Sequence, residues 1–390
     1  MNTKLRIDTK SISWIGIFIA LGVYLKEFYL MDSGSLQLGD ICFIVAFFLS
    51  VIKSRITLSK IDYKLFAFVF LAILINIFYC LIYSDYSFLI YSSYLVFSVI
   101  IVLLTRSFYE NKTILNYVLF SLKAAQLTQV AVSFVGGRYL FSRYTGTFND
   151  PNQFGYYILT SFFLIYMIHH MLDTKMRIYW YVIPTYLVLL SQSSGMLLGL
   201  SVFAVVLLWN ATKNIKNKWK WVLIAVLIIV VIFAFLLNIG DSTMSIDESA
   251  IQVSALRRML KRMSTGNISL KGLVDTYIKD RSITRVIENP FALFYGAGEG
   301  RWERYAQGNE IHATMIAICF YYGIIPFIMW IGWIRDNVIR ISNVYYCVVI
   351  ASIVEACTLA NHRQPFFWMI FVLSASLLCK KRVENSFCKK

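Results

Sequence analysis

The chain has 390 residues, 58% of them hydrophobic and only 15% charged, with a mean hydropathy of +0.65. Soluble domains average about 25% charged residues, so the composition excludes one and predicts a polytopic membrane protein. The formal charge of +16 does not mark a nucleic-acid binder, because the basic residues sit in short loops between apolar runs and read as topology signals.

Apolar runs near the length of a span, about 20 residues, predict helices rather than the shorter alternating strands of a barrel. They fall near 12–30, 37–52, 62–83, 87–105, 114–135, 152–171, 178–192, 195–209, 221–238, 310–333, 343–360 and 365–379. The reading is an all-α chain, one integral-membrane domain over 1–390 with twelve transmembrane helices. The runs either side of Ser191 to Gly195 are short, and one tightly turned hairpin is the alternative there. No small-residue cleavage site follows the first run. Basic clusters such as Lys4, Arg6 and Lys10, then Lys53, Arg55, Lys60 and Lys64, then Lys380, Lys381 and Arg382 occupy every second loop. That places both termini in the cytoplasm and every motif-bearing loop outside. The cysteines lie in apolar runs or in the C-terminal tail, which predicts neither disulfides nor a metal cluster.

The loop before the sixth run reads Arg143-Tyr-Thr-Gly-Thr-Phe-Asn-Asp-Pro-Asn-Gln-Phe-Gly155. Asp150 is a natural N-cap, Pro151 fits the first helical position, and Gln153 completes a capping box. The exposed helix start beside Arg143 suits a phosphate; Arg138 and Arg143 as interfacial anchors is the other reading. A long polar insertion spans 240–309. Its apolar positions from Ile251 to Met263, interleaved with Arg257, Arg258, Lys261 and Arg262, predict an amphipathic helix on the membrane surface. The stretch from Leu273 to Glu288 predicts a second helix with Arg281 and Arg285 on one face. Two guanidiniums there suit a diphosphate; pairing with Asp275, Asp280 or Glu288 is the alternative.

The insertion ends in Gly296-Ala-Gly-Glu-Gly300, followed by Arg301 and Arg304. No strand precedes these glycines, so a dinucleotide fingerprint has no support. Asn309 is the expected cap of the tenth run, which places His312 in its first turn. The positive helix end there keeps the imidazole neutral, as a general base requires, and Glu310 opposes it. His362 and Arg363 occupy the last outer loop, and Glu355 is placed to line the same cavity. Lys26, Lys123 and Glu355, ionisable and inside runs, draw the same attention.

Together the Arg143–Gly155 motif, Ser191-Gln-Ser-Ser-Gly195, the glycine-rich turn, and His312 with Gly323 eleven residues later resemble the O-antigen ligase and polymerase superfamily. The resemblance implies a GT-C-like helical bundle with one long extracytoplasmic loop, in the bacterial inner membrane. It implies a metal-independent glycosyltransferase with no cofactor, acting on undecaprenyl diphosphate-linked glycan among membrane lipids, alongside a flippase and a chain-length regulator, with no nucleic acid. Carried over residue by residue, Arg143 and Arg285 hold the diphosphate and His312 is the base. Arg281, Arg301, Arg304, Asn152, Glu310, His362 and Arg363 are the substrate-binding candidates. The chain departs from the pattern at Ala313 and Ser194, where members often carry Asn and Arg. The expectation is a Wzy-type polymerase building O antigen or capsule; an O-antigen ligase is the near alternative and a twelve-span transporter the distant one, disfavoured by the absence of internal repeats.

Overall fold

The computed structural model describes residues 9–29, 37–140, 143–212, 219, 221, 275, 277–279, 281–305, 309–339, 341 and 343–375. The amphipathic helix expected at 251–263 and nearly all of the span expected at 221–238 lie outside the described residues.

The described residues are mostly helical. In chain order they form α1 (Thr9–Leu25), α2 (Leu38–Ile52), α3 (Asp62–Tyr83), α4 (Ser87–Phe108), α5 (Lys112–Val135), a hairpin of β1 (Arg138–Leu140) and β2 (Arg143–Gly146), α6 (Pro151–Met171), α7 (Tyr179–Ser191) and α8 (Ser194–Thr212). After the insertion come the short α9 (Thr284–Glu288) and α10 (Ala292–Tyr295), then α11 (Thr314–Tyr322), α12 (Ile324–Val338), α13 (Asn343–Ala356) and α14 (Pro365–Ala375). Four of these, α3, α4, α5 and α8, are long and apolar enough to cross a membrane, and shorter apolar helices accompany them.

Two helices form the centre. Every residue of α6 from Phe154 to His169 is buried, as is all of α14. Both are apolar around their whole circumference, which only a fully surrounded helix can satisfy. Around them α6 packs against α5, α7, α8 and α14, while α14 packs against α4 and α12 as well. Asp150 caps α6 as its sequence predicts, accepting hydrogen bonds from the amides of Asn152 (2.8 Å) and Gln153 (3.1 Å), with Pro151 in the first turn.

Three features differ from the expectation. The segment before α6 is an antiparallel hairpin, Tyr139 facing Tyr144, where a plain turn was expected. The tenth run is two helices broken at Gly323, whose φ of +79° is open to glycine at little cost. And α11 begins at Thr314, not after Asn309, because Ala313 is extended (φ −153°, ψ 105°). Glu310 and His312 therefore precede the helix rather than lying in its first turn.

The break is stabilised by the glycine-rich turn. The amides of Ala297 and Gly298 donate to the carbonyls of Phe320 (2.9 Å) and Tyr321 (2.8 Å), which the broken helix leaves free. Glu299 N–H reaches Asn76 Oδ1 at 2.8 Å. Asn76 lies seven residues before the end of α3, about 10 Å along a helix. The end of the insertion thus re-enters the bundle instead of lying on its surface, and irregular backbone at that depth requires enclosure by protein.

At the opposite end, where Lys64, Arg106 and Arg335 gather, one buried polar network fastens α3, α4 and α12. Asp62 accepts from Arg106 Nε (3.1 Å) and Nη2 (3.0 Å), from Trp333 Nε1 (3.1 Å) and from the Ser59 amide (3.3 Å). Arg106 Nη2 also reaches Asn337 Oδ1 at 2.6 Å, and Asn337 Nδ2 donates to the Trp333 carbonyl at 2.8 Å.

Candidate functional site

Thr314 assembles the site. Its amide and hydroxyl both donate to the Leu359 carbonyl (3.1 and 2.7 Å), and the Asn361 amide donates to its Oγ1 (2.7 Å). That clasp holds the α13–α14 loop against the start of α11, so His362 and Arg363 come to Glu310 and His312.

The centre of the resulting cluster is Glu299, which the sequence reading passed over. Its side chain is 1% exposed. Oε1 accepts from His362 Nε2 (3.0 Å) and Arg363 Nε (3.1 Å), with Arg363 Nη2 on the same oxygen, and Oε2 accepts from the Tyr322 hydroxyl. Arg363 turns its remaining edge, Nη1, to Glu310 Oε2 at 2.7 Å, and its plane lies 4.5 Å from the Tyr91 ring. Its donors are therefore committed to two carboxylates. Burial pushes both carboxyls up, but Arg363 outweighs it, aided by His362 at Glu299 and by His312 at Glu310, and both end below their ordinary value. The same carboxylates hold Arg363 charged against its own burial.

His312 is the open end of this chain. Its Nδ1 stands 3.6 Å from Glu310 Oε1 and its side chain is 40% exposed. Burial lowers its pKa below 6.5; Glu310 opposes, and Arg281 and Arg363 add to the lowering. The neutral ring that a base requires is thus favoured by desolvation and neighbouring arginines, not by a helix terminus. His362, by contrast, is buried and faces Glu299. Glu355 does not meet it; Glu355 accepts from Asn361 Nδ2 instead.

Arg281 and Arg285 do not share a helix face. The stretch expected to be one helix is interrupted at Ser282, left-handed at φ +55°. There Ser282 N–H bonds to the Lys279 carbonyl (3.1 Å) and Ile283 N–H to the Ile278 carbonyl (2.9 Å), the pattern of a Schellman termination. Arg281 then lies beside His312, whose amide donates to the Arg281 carbonyl at 3.1 Å. Arg285 is turned inward and fully buried. The Tyr305 ring lies 5.0 Å from its Cζ, and none of its three guanidinium nitrogens has a hydrogen-bond partner among the described residues. Arg285 thus makes no pair with Asp275 or Glu288 among the described residues, and Asp280, the third partner expected, lies outside them.

The other arginines are placed apart. Arg143 Nε donates to the Ser191 carbonyl (3.1 Å) and Nη2 to Asn152 Oδ1 (2.9 Å), which Ser193 Oγ also approaches at 2.9 Å. It thereby ties β2 to the start of α6 and to the α7–α8 turn. Gly195, at the start of α8, abuts the Thr358 hydroxyl with no room for a Cβ, which brings that helix start against the α13–α14 loop. Arg304 sits among Tyr79, Tyr83, Phe88 and Tyr305, all within 5.6 Å of its Cζ, and Arg301 bonds to the Tyr83 carbonyl (3.2 Å) over the same ring. Both fasten the re-entrant segment to α3 and α4. Lys26 is paired with Asp40 at 2.7 Å and Lys123 lies over Trp180. A small cleft is lined by Lys26, Tyr29, Gln153, Tyr156 and Gln364 among others.

Among the described residues no group of three His, Cys, Asp or Glu side chains is arranged to hold a metal ion. Glu299 was legible only as the one acid inside the glycine-rich turn; its partners lie 63 and 64 residues away. No protein-family model matches the chain, and no curated protein matches it. What the fold defines is a mostly helical protein with several helices apolar enough to lie in a membrane.

Proposed function

We propose that this chain is a twelve-span glycosyltransferase of the cytoplasmic membrane, both termini inside, that polymerises undecaprenyl diphosphate-linked repeat units into O antigen or capsule. The observation that supports it most is Arg285. An unpaired cation buried in protein is costly by several kcal/mol, and a diphosphate would repay that cost with charge-assisted hydrogen bonds. Beside it, Arg281 adds positive charge and His312, neutral and half open, supplies a base.

In the reaction the acceptor hydroxyl attacks the anomeric carbon of the donor sugar, and the bond from that carbon to the diphosphate breaks. His312 takes the hydroxyl proton, while Arg285 and Arg281 meet the charge that develops on the leaving diphosphate. Arg143, which clasps the start of α6, positions the loop through which the donor is held. No nucleotide is consumed, because the lipid diphosphate is itself the leaving group.

The test is the glycan ladder of cells lacking the chain, with lipid-linked intermediates extracted in parallel. Loss of polymer with single repeat units accumulating on the carrier is the expected result. Long polymer stranded on the carrier would make the chain the ligase, and an unchanged ladder would leave the transporter reading. Complementation with Arg285→Ala or His312→Ala, at equal protein level, should fail to restore long polymer; full restoration removes that residue from the site.

A further inference from the structure

His312 alone is a poorly fixed group, exposed at one edge and outside any helix. The structure surrounds it with more machinery than a surface histidine needs. Among the described residues Glu310 is the carboxylate within salt-bridge distance of it, at 3.6 Å from Nδ1. Glu310 in turn cannot rotate freely, because Oε2 is held at 2.7 Å by Arg363 Nη1. Arg363 is fixed on its other edge by Glu299 and on its face by Tyr91. Glu299 is locked by Tyr322, His362 and, through its amide, Asn76 of α3. The chain of contacts runs from the bundle interior to Glu310, whose Oε1 stands 3.6 Å from the exposed imidazole.

We propose that Glu310 is a positioning residue for His312, held for that task by the Arg363–Glu299 pair, so that Nδ1–H points at Glu310 and Nε2 is left open to accept a proton. The proposal rests on the reading of His312 as the base and extends it. Glu310 selects the tautomer, the role a third group plays in orienting a general base. The pair behind it sets the charge: two carboxylates against one guanidinium leave one net negative charge facing the ring. The other charged groups acting on His312 are Arg281, from the turn before α9, and Asp150, from the cap of α6. A merely structural ion pair would anchor the loop but leave the ring's tautomer and titration unchanged.

The experiment is a titration of the purified full-length protein in detergent micelles, with histidine labelled with nitrogen-15 and the His312 signals assigned through a His312→Gln variant. In Glu310→Gln the His312 pKa should fall by about one unit, and the preference for a protonated Nδ1 should weaken. Arg363→Gln should move the pKa the opposite way, and Glu299→Gln should lower it by less than Glu310→Gln does. Glu310→Asp, which keeps the charge, should restore most of the shift and serves if the glutamine variant does not fold. A His312 titration and tautomer unchanged in Glu310→Gln, or displaced in Glu310→Asp as far as in Glu310→Gln, overturns the proposal. Because the titration needs no substrate, it stands apart from the glycan ladder: a shifted titration with an unchanged ladder would sink the polymerase reading and leave the positioning intact.

Discussion

Two of the molecule's buried polar networks lie at opposite ends of its helix bundle, and they differ in how completely they are satisfied. Around Asp62, where Arg106, Asn337, Trp333 and the Ser59 amide meet, no buried side-chain donor or acceptor is left unpartnered among the described residues. At the other end the cluster built on Glu299 is equally buried, yet beside it Arg285 has three unpartnered nitrogens, and His362 Nδ1, Asn361 Oδ1 and Glu355 Oε1 are also unpartnered among the described residues. A closed network fixes helices; an open one retains binding capacity at the expense of stability. On the proposed function, the closed end holds the helices together and the open end is the one offered to a ligand.

Substitutions should separate the two most sharply at the arginines. Arg106→Met strands Asp62 as an uncompensated buried charge and should destabilise the protein by about 3–5 kcal/mol, read as a lower unfolding midpoint in detergent. Arg285→Met removes a charge that has no hydrogen-bond partner among the described residues, so the midpoint should hold or rise, by about 1 kcal/mol or more, while polymer synthesis is lost. If Arg285→Met unfolds the protein as Arg106→Met does, the two ends are alike and the comparison fails.

His312→Ala should lower the rate of polymer formation by about 10²–10⁴-fold, the range for removing a general base. Its effect on the unfolding midpoint should be small, since the side chain is 40% exposed and surface changes usually stay within about 0.5 kcal/mol. A smaller effect is expected from Trp333→Phe, which deletes one of several donors to Asp62 and should cost about 1 kcal/mol without altering activity.

Acid should act on the open end. His312 in the folded protein lies below 6.5, so as pH drops under 6.5 the unfolded chain takes up a proton that the folded one does not, and stability declines. Glu299 and Glu310 lie below their ordinary 4.5. Their pairing contributes fully above that pH and is lost as the pH falls through their depressed values. The unfolding midpoint should therefore decrease in two stages on acidification, and His312→Gln should reduce the first stage while leaving the second. A single stage unaffected by that variant would show that the cluster does not titrate as its geometry implies.

Much of the architecture was legible because it is local. The capped start of α6 follows from Asp150 and Pro151, and the burial of α6 and α14 from apolar residues on every side. The tenth run was misread as one helix, since its hydropathy is continuous across Gly323 and only the incoming amides of Ala297 and Gly298 make the break affordable. The helix expected around Arg281 and Arg285 ended at Ser282, a residue with no sequence signature for a left-handed turn.

By itself the sequence determined that this is a helical chain with apolar runs suited to a membrane, and that several arginines, a histidine and a glycine-rich turn share one insertion and its neighbouring loops. Only the tertiary structure decided which charges meet: Glu299 with Arg363 across 64 residues, Arg363 with Glu310, and Arg285 with none of the described carboxylates. The physical reason is one of range. Periodicity and capping report interactions among residues a turn or two apart, whereas the pairing of buried charges depends on which helices pack together, and in the folded chain that pairing separates a guanidinium neutralised by two carboxylates from one with no hydrogen-bond partner among the described residues.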